Sequence, residues 1–360
     1  MNAAALRTVA PRILVTGGCG FIGSNITDAL ARRGDQVLVL DSFARPGSEE
    51  NAEWLRKRHP QQVVIERCSI TDADAVRSLV SEASAVVHLA GQVAVTTSLD
   101  EPLQDFEINA RGTLNVLEAV RTTGGQAPVV IASTNKVYGK LLGDEDIIHA
   151  GERYQPAEVR LALGVDESAP LDFYSPYGCS KGTADQYVRD YARVFGLRTA
   201  VLRMSCIYGP RQFGTEDQGW IAHFLIRAIR GEPITIYGDG CQVRDALFVD
   251  DAVNAWLTVL DNIDAVSGRI FNLGGGPQNT VSLRELIAMI GALRGETPEV
   301  TYDAWRPGDQ PWYVSDIRAL TGALGWEPRV GFREGLSRLE GWLSQRFGDQ
   351  KPPLRAGAQA

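Results

Sequence analysis

The segment "SPYGCSK", Ser175 to Lys181, sets a phenol at Tyr177 and an ammonium at Lys181 four residues apart. On a helix, positions i and i+4 share a face one turn apart, so the lysine head group can reach the tyrosine hydroxyl. An unperturbed phenol titrates near pH 10, and a neighbouring positive charge lowers that value. Such a pair is a candidate base for taking a proton from an alcohol. A surface tyrosine packed over a lysine stem is the commoner meaning of this spacing. The sharper meaning therefore needs support from the rest of the chain.

That support comes from "TGGCGFIG", where Gly17, Gly20 and Gly23 follow a short apolar run and open a helical one. Glycines between a strand and a helix allow a tight turn and a close backbone approach, and a pyrophosphate can rest on the helix N-terminus. Asp41 ends the next apolar run, 18 residues beyond Gly23. A carboxylate there accepts from both hydroxyls of an adenosine ribose and repels a 2′-phosphate, which favours NAD over NADP. Arg45 weakens that preference slightly. Phe21, Ile22, Ser42, Ser69, Ile70, Leu89, Ala90, Gly91, Gln92 and Asn109 complete the expected cofactor contacts, with Tyr177 and Lys181 at the nicotinamide end. With an oxidised nicotinamide close by, a second positive charge would help Lys181 to lower the Tyr177 pKa.

The elements that must position these groups alternate. Strands are expected over "RILVT", "QVLVLD", "QVVIERC", "AVVHLAG", "APVVIAST" and within "RTAVLRMSCIYG", with helices near 21–33, 72–82, 101–122 and 176–195. Val- and Ile-rich strands spaced by helices imply a parallel sheet covered on both faces. The fold class is α/β: a doubly wound parallel Rossmann sheet with a smaller, interleaved C-terminal substrate-binding domain. Residues 1–205 and 246–272 are assigned to the NAD-binding domain, and 206–245 and 273–347 to the substrate domain. Residues 348–360 read as a disordered tail. In such a sheet, ligands sit beyond the carboxyl ends of the strands. Ser133, Thr134 and Asn135 end the fifth strand and should reach the cleft, where Thr134 or Ser133 can bond the same substrate oxygen as Tyr177.

The 360 residues are 44% hydrophobic and 22% charged, with a net charge of −8 and no basic tract, so no nucleic-acid partner is expected. The five Cys and four His are scattered without ligand spacing, so no metal is expected and the reading is of a reducing, cytoplasmic protein. Residues 1–11 lack the apolar core of a signal peptide, and no apolar run approaches a membrane span.

Together, the glycine turn, the Ser/Thr after the fifth strand and the YxxxK pair resemble the extended short-chain dehydrogenase/reductases that act on nucleotide sugars. Over nearly the whole chain, "STNKVYG", "SPYGCSKG", "YGPRQFGTEDQGW" and "QVRD" are similar to the CDP-tyvelose (CDP-paratose) 2-epimerases of that family. The resemblance implies transient oxidation of a sugar carbon, placed at C2 of a CDP-hexose. Local physics alone does not choose C2 over C4. Asn135 and Lys136 stand where the family's 4,6-dehydratases carry an acidic pair. An amide cannot protonate a leaving hydroxyl, so elimination is demoted. Lys136 is expected to contact the sugar or to orient a loop.

The resemblance further implies that Arg211, Arg244 and Arg306 bind the substrate pyrophosphate. Asp309 is expected on a ribose hydroxyl or Arg306, and Trp220 on the sugar or base. Cys206 replaces a common Asn, the insertion 140–172 should cap the sugar pocket, and Tyr154 is a candidate lining residue there. Cys179 is expected to pack away from Tyr177. A homodimer built on helices 101–122 and 176–195 is expected by analogy. The competing readings are a 4-epimerase or another keto-forming enzyme on a UDP-, dTDP-, GDP- or ADP-sugar, and a non-catalytic NAD-bound regulator.

Overall fold

The computed structural model describes residues 12–306 and 308–348. Residues 1–11, and the expected tail beyond Gly348, lie outside the described residues. Seven parallel strands form the central sheet, in the spatial order Arg269–Leu273, Thr199–Met204, Val129–Thr134, Ala83–His88, Arg12–Thr16, Gln36–Asp41 and Val63–Arg67. Strand order reverses beside Arg12–Thr16, so the cleft opens beyond the carboxyl ends of that strand and its neighbours.

Side-chain alternation builds a core on each face. Ile13, Val15, Val37 and Val39 pack with the helices Phe21–Arg33 and Val249–Asp261. Leu14, Leu38 and Leu40 pack on the other face with Val76, Val116 and Val188. This two-sided burial is why the strands read as continuous apolar runs.

Within "RTAVLRMSCIYG" the expected sixth strand is Thr199–Met204. It breaks at Ser205, whose amide still donates to the Leu273 carbonyl (2.9 Å), and Cys206–Tyr208 leaves the main sheet to pair with Val243–Phe248. The expected helix 101–122 is two α-helical pieces, Pro102–Phe106 and Gly112–Thr122, joined by a π-turn at Glu107–Arg111. Within the insertion stands a hairpin, Ile147–Ala150 against Arg153–Pro156, that the sequence pattern did not mark.

Smaller sheets are built largely from the later part of the chain. Val243–Phe248 pairs with Thr280–Ser282 and Trp312–Tyr313, and Ile234–Tyr237 pairs with Val300–Asp303. Leu142 and Val165 of the insertion pack with Val243, Trp312 and Tyr313. No described helix is long and apolar enough to cross a membrane.

Candidate active site

A cavity of about 830 Å³ runs from the glycine turn to the start of the Val243–Phe248 strand. Its first half is made by backbone. Gly17 has φ +68°, and a Cβ there would lie 2.7 Å from the Ala90 nitrogen; at Gly23 it would lie 2.1 Å from the Gly17 carbonyl oxygen. Only glycine fits either position. The helix that follows begins at Phe21 with no side-chain cap on its free amides, the arrangement that receives an anion. Asp41 is buried, and its carboxylate accepts from the amides of Cys19 (2.9 Å) and Phe43 (2.8 Å). Nearby, Asn51 Oδ1 and Gln212 Oε1 are buried on the cavity wall without a hydrogen-bond partner. A glycine cradle, an uncapped helix start and orphaned acceptors fit a dinucleotide. Gly17, Gly20, Asp41 and their neighbours are the groups that would hold it.

The cofactor contacts expected from the sequence line this cavity, with one exception. Asn109 is buried and its side chain is fully engaged. Its amide nitrogen donates to the Gln92 carbonyl, Asp105 and Ser180 (3.1 Å each), and its oxygen accepts from the Gln92 amide (2.9 Å). It braces the Gly91–Gln92 backbone from behind, and the π-turn aims it there.

At the centre, the Val129–Thr134 strand ends beside the first turn of the helix Pro176–Phe195. Pro176 at the helix start and Ser175, whose hydroxyl accepts from the Gly178 amide (3.2 Å), fix that first turn. Tyr177 is buried, with the Thr134 side chain beside it on the cavity wall. Burial pushes its phenol up to about 12, against the pull of Thr134. Lys181 is also buried, donates to the Ala132 carbonyl at 2.6 Å, and is lowered to about 8 by burial despite Asp185 and Asp105. The lowering of Tyr177 expected from Lys181 is therefore not supplied by the protein's own groups, because desolvation weakens the cation as well as the phenolate.

Ser133 and Thr134 do not share a role. Successive residues of a strand face opposite ways, and the Ser133 hydroxyl donates to Asp185 (2.9 Å), which is itself bidentate to Arg203 (2.8 and 3.0 Å). Ser133 belongs to that buried network, and Thr134 alone meets Tyr177. Asn135 is buried; its oxygen accepts from Thr134 (3.3 Å) and its amide donates to Gln310 (3.4 Å).

The far half is ionic. Arg244 donates to Asp309 at 2.7 Å, while Lys136 donates to the Gly308 carbonyl (3.1 Å) and lies 3.7 Å from the same carboxylate. Arg244 and Lys136 hold Asp309 below the usual carboxylate range despite its burial. The partner of Asp309 is thus Arg244. Arg306 instead bonds Glu216 and lies 3.8 Å over the Tyr237 ring. Trp220 donates to Cys206 (3.3 Å) on the same wall. Arg211 lines the cavity at the other end, its guanidinium 4.0 Å over the Trp54 ring, apart from the Arg244 pair.

Two further expectations fail. No described residue of 140–172 lines this cavity, because the insertion packs behind the Arg244 strand. Tyr154 lines a second cavity of about 330 Å³ and donates to Asp239 (2.5 Å). Cys179 does point away from Tyr177, but into solvent rather than into packing. Gln242, Glu216 and Tyr237 also line the cavity and were not singled out as site residues, although Gln242 and Glu216 stand within "QVRD" and "YGPRQFGTEDQGW".

Residues 13–274 match the sequence profile described as the NAD dependent epimerase/dehydratase family. The chain belongs to this family. Its members depend on NAD, and the family resemblance read from the motifs is borne out. The chain is 41% identical to CDP-paratose 2-epimerase of Salmonella typhi over 345 residues, covering 92% of this chain and 99% of that protein. It is 32% identical to a putative UDP-glucose 4-epimerase of Methanocaldococcus jannaschii over 335 residues, 92% of this chain and 98% of the other. Among solved structures, the Thermus thermophilus UDP-glucose 4-epimerase in complex with NAD superposes with a TM-score of 0.78 at 33% identity, covering 93% of this chain and 99% of that one.

Proposed function

We propose that the protein is an NAD-dependent nucleotide-sugar epimerase that inverts C2 of a CDP-hexose, of the CDP-paratose/CDP-tyvelose or CDP-glucose type. The carrying observation is the equipment at the end of the Val129–Thr134 strand. One acid–base group, Tyr177, is buried there with the Thr134 hydroxyl beside it, and an amide and an ammonium follow Thr134. Among the described residues the carboxylates lining the cavity are Asp41, Glu216, Asp217 and Asp309. Asp309, beside Lys136, is held ionised by two cations and is a poor proton donor. An elimination needs a second acid, whereas an epimerisation does not.

NAD held by the glycine turn and Asp41 would supply a reversible hydride acceptor beside the sugar carbon. Tyr177 takes the hydroxyl proton of that carbon and later returns it. Thr134 accepts or donates at the same oxygen and fixes its direction. Lys181, on the same helix face, would hold the nicotinamide ribose and supply positive charge to the phenolate. Arg244, with Lys136 beside it, holds the pyrophosphate, and Trp220 with Cys206 walls the space in which a flat keto sugar turns over. We assign 1–205 with 246–272 to cofactor binding and 206–245 with 273–347 to the substrate.

The choice of C2 and cytidine follows the similarity to the Salmonella protein. The 4-epimerases among the relatives support a second reading, C4 inversion of another nucleotide sugar. The test is turnover of CDP-paratose and CDP-glucose beside UDP-, dTDP-, GDP- and ADP-sugars, followed by NMR of the product. Inversion at C2 of a CDP-sugar is expected; inversion at C4 of another nucleotide sugar would replace this reading with the second.

The same reading makes the protein a cytoplasmic homodimer. Leu103, Phe106, Val194 and Phe195 are exposed on the two helical segments expected to pair. Sedimentation as a monomer would count against that interface.

A further inference from the structure

Away from the large cavity, three metal-ligating side chains converge from distant parts of the chain. His149 lies on the first strand of the insertion hairpin. Asp239 and Cys241 lie in the turn between Ile234–Tyr237 and Val243–Phe248. One ligand atom of each lies within 4.8 Å of the others, and this is the one such group among the described residues.

The frame beneath them is fixed. The Tyr154 amide donates to the Cys241 carbonyl (2.8 Å), joining hairpin to turn. The Asp239 carboxylate accepts from the Cys241 amide (2.9 Å) and the Tyr154 hydroxyl (2.5 Å), outer hydrogen bonds of the kind that orient ligating carboxylates. Arg284 holds the turn from below, donating to the carbonyls of Asp239 (2.7 Å) and Gly240 (3.0 Å). Cys241 is buried and Asp239 partly so, whereas His149 is exposed with its ring edge-on to Tyr154 at 5.3 Å. In tetrahedral zinc sites the donor atoms stand about 3.5 Å apart. Closing the present spacing takes movement of roughly 1 Å, which the exposed imidazole can provide by rotation.

We propose that His149, Asp239 and Cys241 form a binding site for a zinc-class divalent ion, with the fourth position open to water. Thiolate and imidazole donors select zinc or cobalt over magnesium or calcium. The bound ion would tie the insertion hairpin to the turn that runs directly into Arg244. Its effect is on the stability of that junction, since none of the three residues lines the large cavity. The ligands come together only in the fold, which is why cysteine and histidine spacing in the sequence gave no sign of them.

Cobalt(II) titration of the full-length protein tests this. The expected result is one equivalent bound with a thiolate-to-cobalt charge-transfer band in the near ultraviolet. Cys241→Ser should abolish the band, and His149→Ala, on an exposed side chain, should weaken binding at least tenfold. Zinc should raise the melting temperature of the wild type and not of His149→Ala. Epimerase turnover should be unchanged in both variants. Absence of the band in the wild type would overturn the site. So would a band that survives Cys241→Ser, which would point to exposed Cys179, or an affinity unaltered by His149→Ala. Should Cys241→Ser fail to fold, the His149→Ala titration decides.

Discussion

The two halves of the large cavity are built differently. At the sheet end, polar groups are tied to fixed partners: Lys181 to the Ala132 carbonyl and Asp41 to two amides, with His88 buried in the sheet behind them between the Thr16 (2.6 Å) and Thr113 (3.0 Å) hydroxyls. At the far end, cations are tied to carboxylates on other segments, Arg244 to Asp309 and Arg306 to Glu216. The first half is a rigid mould whose atoms are set by the sheet. The second is a set of ion pairs, in which an anionic ligand can replace one partner. On the proposed function, chemistry belongs to the mould and substrate affinity to the ion pairs.

The strongest way to break this comparison is Tyr177→Phe. Loss of the proton acceptor should lower kcat by ~10²–10⁴-fold with KM little changed. Steady-state kinetics decide it, and an unaltered kcat would remove the mould from the chemistry. Arg244→Ala should do the opposite, raising KM for the nucleotide sugar by ~10–100-fold, the worth of a charged hydrogen bond, with a smaller effect on kcat. Equal losses in kcat from both variants would erase the distinction between the halves.

A third prediction concerns pH. Burial lowers His88 to about 3, with Lys181 adding to the effect. An unfolded histidine titrates near 6.5, so between about 6.5 and 3 the unfolded chain binds a proton that the folded chain does not. The stability tied to neutral His88 is therefore complete above pH 6.5 and is lost as pH falls, by up to ~1.4 kcal/mol per unit. Urea unfolding across that range should show this slope, and it should be shallower in His88→Asn. The smallest effect is expected from Ser133→Ala, about 1 kcal/mol of stability from the lost bond to Asp185, with kcat and KM both retained. A catalytic loss in that variant would return Ser133 to the site.

What the sequence revealed follows the same division. The glycine turn, Asp41, Thr134, Tyr177 and Lys181 act through local spacing at strand ends, so periodicity and motif were enough to place them in one cleft. The π-turn that aims Asn109 behind Gln92 leaves no trace in hydrophobic pattern. Pairings between distant segments were equally hidden. Asp309 met Arg244 rather than Arg306, Arg211 came to rest on Trp54, and the insertion settled behind the Arg244 strand. Alternation along the strand could have separated Ser133 from Thr134, since only one of two adjacent side chains can face Tyr177.

The most direct test of the central claim is epimerisation of the CDP-sugar in deuterated water, read by mass spectrometry and NMR at the inverted carbon. The account predicts inversion with the original hydrogen retained and no deuterium at that carbon, because the hydride stays within the closed site. Deuterium at the inverted carbon would show exchange with solvent, and hydride return in this cavity would have to be abandoned.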